Sequence, residues 1–85
     1  MPTPCAHLRS TPEVEIPDHA ACASCIALGD TWIHLRKCAA CGHIGCCDSS
    51  KNQHATKHFR ATSHPVVRAV EDGWYWCYVD AVMVD

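Results

Sequence analysis

Large apolar side chains are scarce in this 85-residue chain: Val, Ile, Leu and Phe together number fifteen, with a single Phe among them. That is about 18% of the residues, too few for an ordinary hydrophobic core in a domain of this size. No long apolar run is present, which excludes a membrane-spanning helix, and the same arithmetic excludes a coiled coil. A strong charge of either sign is also lacking. Seven Lys or Arg against nine Asp or Glu give a formal net charge of −2, so this is not the self-repelling composition that keeps a chain disordered. Repeats and low-complexity tracts are absent. The length leaves no room for a multidomain enzyme, and residues 1–85 read as one domain.

What the chain does have is eight Cys and seven His. A domain this small needs staples, either disulfides or metal. Eight is an even number, so a disulfide framework has to be weighed. Three observations favour metal. Met1 to Ser10 carries two Pro and no apolar run, so no secretory leader is expected there. The cysteines come as Cys22-x-x-Cys25 and Cys38-x-x-Cys41, a spacing that suits two ligands on one ion. His54, His58 and His64 follow Cys46 within eleven residues of each other, and disulfide scaffolds have no use for His. Zinc is the expected cofactor, and unpaired thiols imply a reducing compartment, the cytoplasm.

Along the chain, residues 1–20 are Pro-rich and acidic (Glu13, Glu15, Asp18) and read as an extended arm, tied down through Cys5 and His7. Thr31 to Cys38 alternates, with Trp32, His34 and Arg36 on one side and Ile33 and Leu35 on the other, which predicts a strand entering a metal knuckle. Ser50-Lys51-Asn52-Gln53 reads as a capping box, with Ser50 as N-cap of a helix reaching about Ala61 and stopping before His64-Pro65. Pro65–Val70 and Trp74–Val79 predict strands separated by a turn at Gly73, and Ala81–Val84 extends the second or forms another. The expected class is therefore α+β, in a small zinc-stabilised domain.

Zinc takes four ligands in a tetrahedron, and Gly42 after Cys41 permits the tight turn of a Cys-x-x-Cys knuckle. His54 and His58 are four apart, so they project from one helix face, one turn above the other. They need not share an ion, and spacing alone does not fix the pairing. The run Cys38-Ala-Ala-Cys41-Gly-His43-Ile-Gly-Cys46, then His54-Ala-x-x-His58 and His64-Pro65, resembles the ubiquitin-specific-protease-type (UBP-type) zinc finger. So do Cys5-x-His7, Cys22-x-x-Cys25 and the closing Trp74-x-Trp76-Cys77-Tyr78, and the stretch Gly45 to Ser50 is most similar to the small standalone bacterial members. The resemblance implies a twisted antiparallel sheet with one or two helices, one zinc on Cys22, Cys25, Cys46 and His54, and a second on Cys38, Cys41, His58 and His64. A third set would comprise Cys5, His7, Cys77 and position 80, where this chain has Asp80 in place of Cys. Cys77 and Asp80 have opposite parity and would leave a regular strand on opposite faces, so a turn or bulge at Tyr78-Val79 is required. Without Asp80 the set would hold three ligands and an open position. Cys47 reads as a spare buried thiol, and His19, His34 and His43 as surface or supporting residues.

Relatives that bind ubiquitin hold its C-terminal diglycine in an aromatic-walled slot, with an Arg two residues past the Cys that matches Cys46. That resemblance makes Trp32, Trp76 and Tyr78 the candidate binding residues. The Arg position is Asp48 here, and an acid repels a carboxylate tail. The expected function is a zinc-binding interaction module that recognises a peptide or protein tail other than that of ubiquitin. Nucleic-acid binding is the alternative: residues 31–70 hold six Lys or Arg against one Asp, but a pI near 6.3 and acidic flanks oppose it. An enzyme built on an open zinc or on Cys47 would need a base and an orienting partner that the sequence does not offer.

Overall fold

Five short antiparallel strands, in the order β2-β1-β3-β4-β5, make a single sheet. The computed structural model describes residues 5–84. Along them run α1 (Ala6–Arg9), α2 (Ala23–Leu28), β1 (Leu35–Cys38), β2 (Ile44–Cys46), α3 (His54–Thr62), β3 (Val66–Ala69), β4 (Tyr75–Cys77) and β5 (Val82–Val84). Consecutive strands pair except at β2, after which α3 crosses β2 and β1 and returns the chain to pair β3 with β1. The architecture is the zinc-stabilised α+β type expected, with three helices rather than one or two, two of them only four and six residues long.

The packing explains how so few apolar residues suffice. The largest fully buried side chains are all cysteines: Cys22, Cys25, Cys38, Cys46 and Cys77. One cluster joins Cys5, Leu8, Val66 and Cys77; the other joins Cys22, Cys25, Leu35 and Cys46. Sulfur occupies the places that branched aliphatic groups hold in larger domains. The central β3 is covered on both faces, since its adjacent residues Val66 and Val67 point oppositely and are both buried.

Two local expectations need correction. The first twenty residues are not wholly extended, because Ala6–Arg9 forms a helical turn. The turn brings Cys5 and Leu8, three apart, to one side where both are buried against Val66 and Cys77. Past it the arm lacks regular structure and is held by side chains of the sheet. The Tyr75 hydroxyl accepts the Val14 N–H at 2.8 Å, Arg68 donates to the Val14 carbonyl, and Lys37 Nζ donates to the Glu15 carbonyl at 2.6 Å.

The second correction concerns the start of α3. The helix begins at His54, with Gln53 left-handed (φ 48°) before it and no side-chain cap. Ser50, the expected N-cap, instead accepts the Ile33 N–H at 2.8 Å, and Gln53 donates to the Asp48 carbonyl at 3.1 Å. The freed His54 N–H goes to Cys46 Sγ at 3.1 Å, so a cysteine sulfur takes the capping role. The predicted stop holds: Ser63 turns left-handed (φ 61°) ahead of His64-Pro65.

Candidate metal centres and the adjacent slot

Three groups of four donors converge among the described residues, and within each group all donor atoms lie within 4.8 Å of one another. Cys22 precedes α2 and Cys25 lies in its first turn, β2 ends on Cys46, and α3 opens on His54. His54 Nδ1 stands 3.3, 3.4 and 3.5 Å from the sulfurs of Cys22, Cys25 and Cys46, and Cys25 and Cys46 are 3.7 Å apart. Four donors around a zinc ion, at about 2.3 Å for sulfur and about 2.0 Å for nitrogen, give tetrahedral edges of about 3.5–3.8 Å. The contacts therefore match the edges of a coordination polyhedron. Asn52 Nδ2 donates to Cys25 Sγ at 3.6 Å, an outer contact of the kind that supports a thiolate. Burial pushes the Cys25 thiol up to about 11, partly offset by that amide. A zinc ion bound here would displace that proton, because cysteine ligates metal as the thiolate.

The second group joins Cys38 at the end of β1, Cys41 in the knuckle, His58 one turn along α3 from His54, and His64 just beyond the helix. Cys38 Sγ is 3.5 Å from His64 Nδ1, and Cys41 Sγ is 3.3 Å from His58 Nε2. Gly42 (φ 81°) makes the knuckle turn, in which its N–H reaches the Cys38 carbonyl at 2.9 Å. His43 stacks on His58, ring centroids 4.1 Å apart and nearly parallel. Burial holds both imidazoles below their ordinary range, which for His58 favours the neutral form a metal ligand takes. His54 and His58 thus serve different groups, and α3 bridges the two.

The third group joins Cys5 and His7 at the start of the chain with Cys77 and Asp80. The turn that parity demands is present: β4 ends at Cys77, and residues 78–81 turn, with Ala81 at φ 53°. His7 Nδ1 is 3.6 Å from both sulfurs, again a polyhedron edge. The Asp80 corner is uneven, with Oδ2 2.8 Å from Cys5 Sγ, 3.0 Å from His7 Nδ1 and 3.9 Å from Cys77 Sγ. Hydrogen bonds from Cys5 and His7 hold the Asp80 carboxyl below its usual range.

A slot lies beside these centres. It is a cavity of about 170 Å³ with Trp74, Trp76 and Tyr78 as aromatic walls, Val67 behind them, and Arg36, Cys47, Asp48 and Ser49 completing the lining. Tyr78 stacks on Phe59 of α3 at 4.7 Å, and its N–H is held by the Pro65 carbonyl at 2.8 Å. Cys47 is buried and outside all three groups. Burial would raise its thiol, but hydrogen bonds from Ser50 and the neighbouring backbone outweigh that and hold it lower. A larger hollow of about 390 Å³ beside α1 is lined by Ala, Pro, Ser, Thr and Val, with His7 its one ionisable group, and offers little for recognition.

Comparison with known proteins also points to a zinc-binding domain. The family model described as the Zn-finger in ubiquitin-hydrolases and other protein matches residues 22–85. The chain belongs to this zinc-finger family. As a member it is a zinc-binding module. It is 32% identical over 63 residues, 74% of the chain, to ubiquitin carboxyl-terminal hydrolase 44 of Ailuropoda melanoleuca. It is 30% identical over 77 residues, 87% of the chain, to histone deacetylase 6 of Caenorhabditis elegans. The matched stretch is only 8% of either relative's length. A Rhodopseudomonas palustris protein solved by solution NMR superposes with a TM-score of 0.84 at 46% identity, covering 100% of this chain and 84% of that one.

Within this zinc finger, the twelve residues expected as ligands fall into the same three groups of four that the resemblance implied. Trp76 and Tyr78 line the slot; Trp32 does not. The strand begins at Leu35 rather than Thr31, so Trp32 lies outside it and packs on the Cys22, Cys25, Leu35 and Cys46 cluster. Arg36 and Trp74 take the remaining places. Trp74-x-Trp76-x-Tyr78 carries a period of two that was visible in the sequence. Arg36 depended on strand pairing, in which it sits opposite Ala69 of β3. His19 and His34 are exposed and belong to none of the groups. No helix among the described residues is long and apolar enough to cross a membrane.

Proposed function

We propose that this zinc finger is a non-enzymatic recognition module of the reducing cytoplasm. Residues 1–85 act as one domain, and the aromatic slot receives the tail of a peptide or protein partner. The observation that carries this reading is where the slot is mounted. Trp76 and Tyr78 flank Cys77, and Cys47 and Asp48 follow Cys46, so the walls are attached to elements that metal would fix. Two zinc ions would occupy the first two groups and a third the Cys5, His7, Cys77 and Asp80 group. Bound zinc supplies cross-links between elements too small to pack alone, and the slot inherits their rigidity.

The relative named as a ubiquitin hydrolase raises ubiquitin as a partner. Two features oppose it. Asp48 stands where the resemblance places an Arg, and the one guanidinium in the slot, Arg36, is engaged: it lies 4.4 Å over Trp74, donates to the Leu35 carbonyl at 3.0 Å and faces Glu71 at 4.0 Å. Catalysis by Cys47 is opposed as well, because its side-chain partner is the Ser50 hydroxyl and not an imidazole.

Selection of random peptides with free termini on the zinc-loaded protein, followed by NMR mapping, tests the proposal. The expected result is peptides that shift the Trp74 and Trp76 indole signals and lose binding in Trp76→Ala. Peptides that map to the hollow beside α1, or none at all, would overturn it. Ubiquitin with a free C-terminus should leave the slot signals unmoved at millimolar concentration.

A further inference from the structure

The charges around the slot do not balance. Asp48 is exposed, and among the described residues no Lys, Arg or His lies within 4.0 Å of its carboxylate. Its Oδ1 accepts the Thr56 hydroxyl, which orients the group, and its Oδ2 has no hydrogen-bond partner among the described residues. Arg36 does not neutralise it, since that guanidinium is matched by Glu71 and covers Trp74. Glu71 is itself fixed, both oxygens accepting the Leu35 N–H at 3.0–3.1 Å. The cavity lining therefore sets Asp48, which has no cationic partner within 4.0 Å, beside aromatic rings, while the Arg36 guanidinium in the same lining is turned onto Trp74 and Glu71. A carboxylate beside aromatic rings is the combination that attracts an organic cation.

Resting on the tail-recognition reading above, we infer that the slot is a cation site that takes a lysine-type alkylammonium side chain of a peptide partner. A cavity of about 170 Å³ has room for one such side chain and not for a folded segment. The four-carbon stem packs on Trp76 and Tyr78, and the ammonium meets Asp48 Oδ2. A carboxylate terminus would meet Asp48 as a like charge, and a neutral aliphatic side chain would leave the anion unmatched.

The test titrates isotopically labelled, zinc-loaded protein at constant ionic strength with three probes: N-acetyl-lysine methylamide, its neutral isostere N-acetyl-norleucine methylamide, and N-acetylglycine, which bears a free carboxylate. The lysine probe should move the Trp74 and Trp76 indole signals saturably, with the other two at least about fivefold weaker. Asp48→Asn should weaken the lysine probe about threefold to fivefold, the scale of one exposed ion pair. Raising salt on the unaltered protein should weaken it in parallel, a readout that does not depend on the variant's folding. Equal response to norleucine, or indifference to both Asp48→Asn and salt, would overturn the cation site. Response to N-acetylglycine alone would overturn it while leaving tail recognition standing. Silence from all three probes while peptides selected on the protein still map to the slot would do the same. Silence together with a failed peptide selection would overturn both.

Discussion

Replacing Gly45 by Ala would drive a methyl group into α3, the helix that carries His54 and His58. A Cβ at Gly45 would stand 2.6 Å from the Ala55 nitrogen, 2.9 Å from the His54 carbonyl carbon and 3.0 Å from the Ala55 Cα. All three are backbone atoms, so no rotamer change relieves the clash. Ordinary contact begins near 3.4 Å, which means that the first turn of α3 must retreat by about 0.8 Å. Coordination distances tolerate about 0.2 Å, and Cys46 adjoins the altered residue while His54 moves away from it. Overpacking alone costs about 1–3 kcal/mol. With the first donor group pulled open, the loss should reach about 3 kcal/mol, roughly 150-fold in zinc affinity at that group. Competition against a chromophoric chelator reads the affinity, and thermal unfolding reads the stability. Gly42→Ala is the control: its Cβ would meet only Lys37 Cε at 3.8 Å, leaving the left-handed backbone cost of about 1–2 kcal/mol. If Gly45→Ala held zinc as tightly as the unaltered protein, the close packing of β2 on α3 would not govern the first centre.

Two further outcomes are expected. Asp80→Ala removes the oxygen corner of the third group, and native mass spectrometry should show one zinc fewer per chain with the others retained; an unchanged count would mean that Asp80 is no ligand. Arg68→Ala cuts the bonds to Val14 and Gly73 and the stacking on Tyr75, so it should cost about 1–2 kcal/mol and speed hydrogen exchange at Val14, whereas unchanged exchange would show that Tyr75 and Lys37 hold the arm without it.

Much of the donor pattern was legible because metal chemistry is local. Cys-x-x-Cys and the His-x-x-x-His repeat place donors within one turn or knuckle, and the resemblance then supplied the pairing across the chain. The parity conflict between Cys77 and Asp80 was also readable, and it located the turn after β4. The start of α3 was not legible. Ser50-x-x-Gln53 has the form of a capping box, but Ser50 is committed to Ile33 and the cap is Cys46 sulfur, a contact fixed only once β2 lies against the helix. The slot failed at Trp32 for a related reason. Alternation continues back to Thr31, but pairing with β2 and β3 begins at Leu35 and Arg36, and only paired residues share the sheet's faces. Alternation puts Arg36 on the Trp32 side of the strand, but only the pairing with β3 brings that side of Arg36 to the slot.

The central claim is that metal, and not apolar burial, makes this fold. Stepwise addition of zinc to the metal-free, reduced protein, followed by the dispersion of its amide spectrum, tests it most directly. The metal-free chain should give the narrow spectrum of an unfolded protein, with dispersed signals growing in and reaching completion between two and three equivalents. A dispersed spectrum at zero zinc would contradict the account, because the core of seven buried cysteines would then stand without the ions that its donor geometry implies.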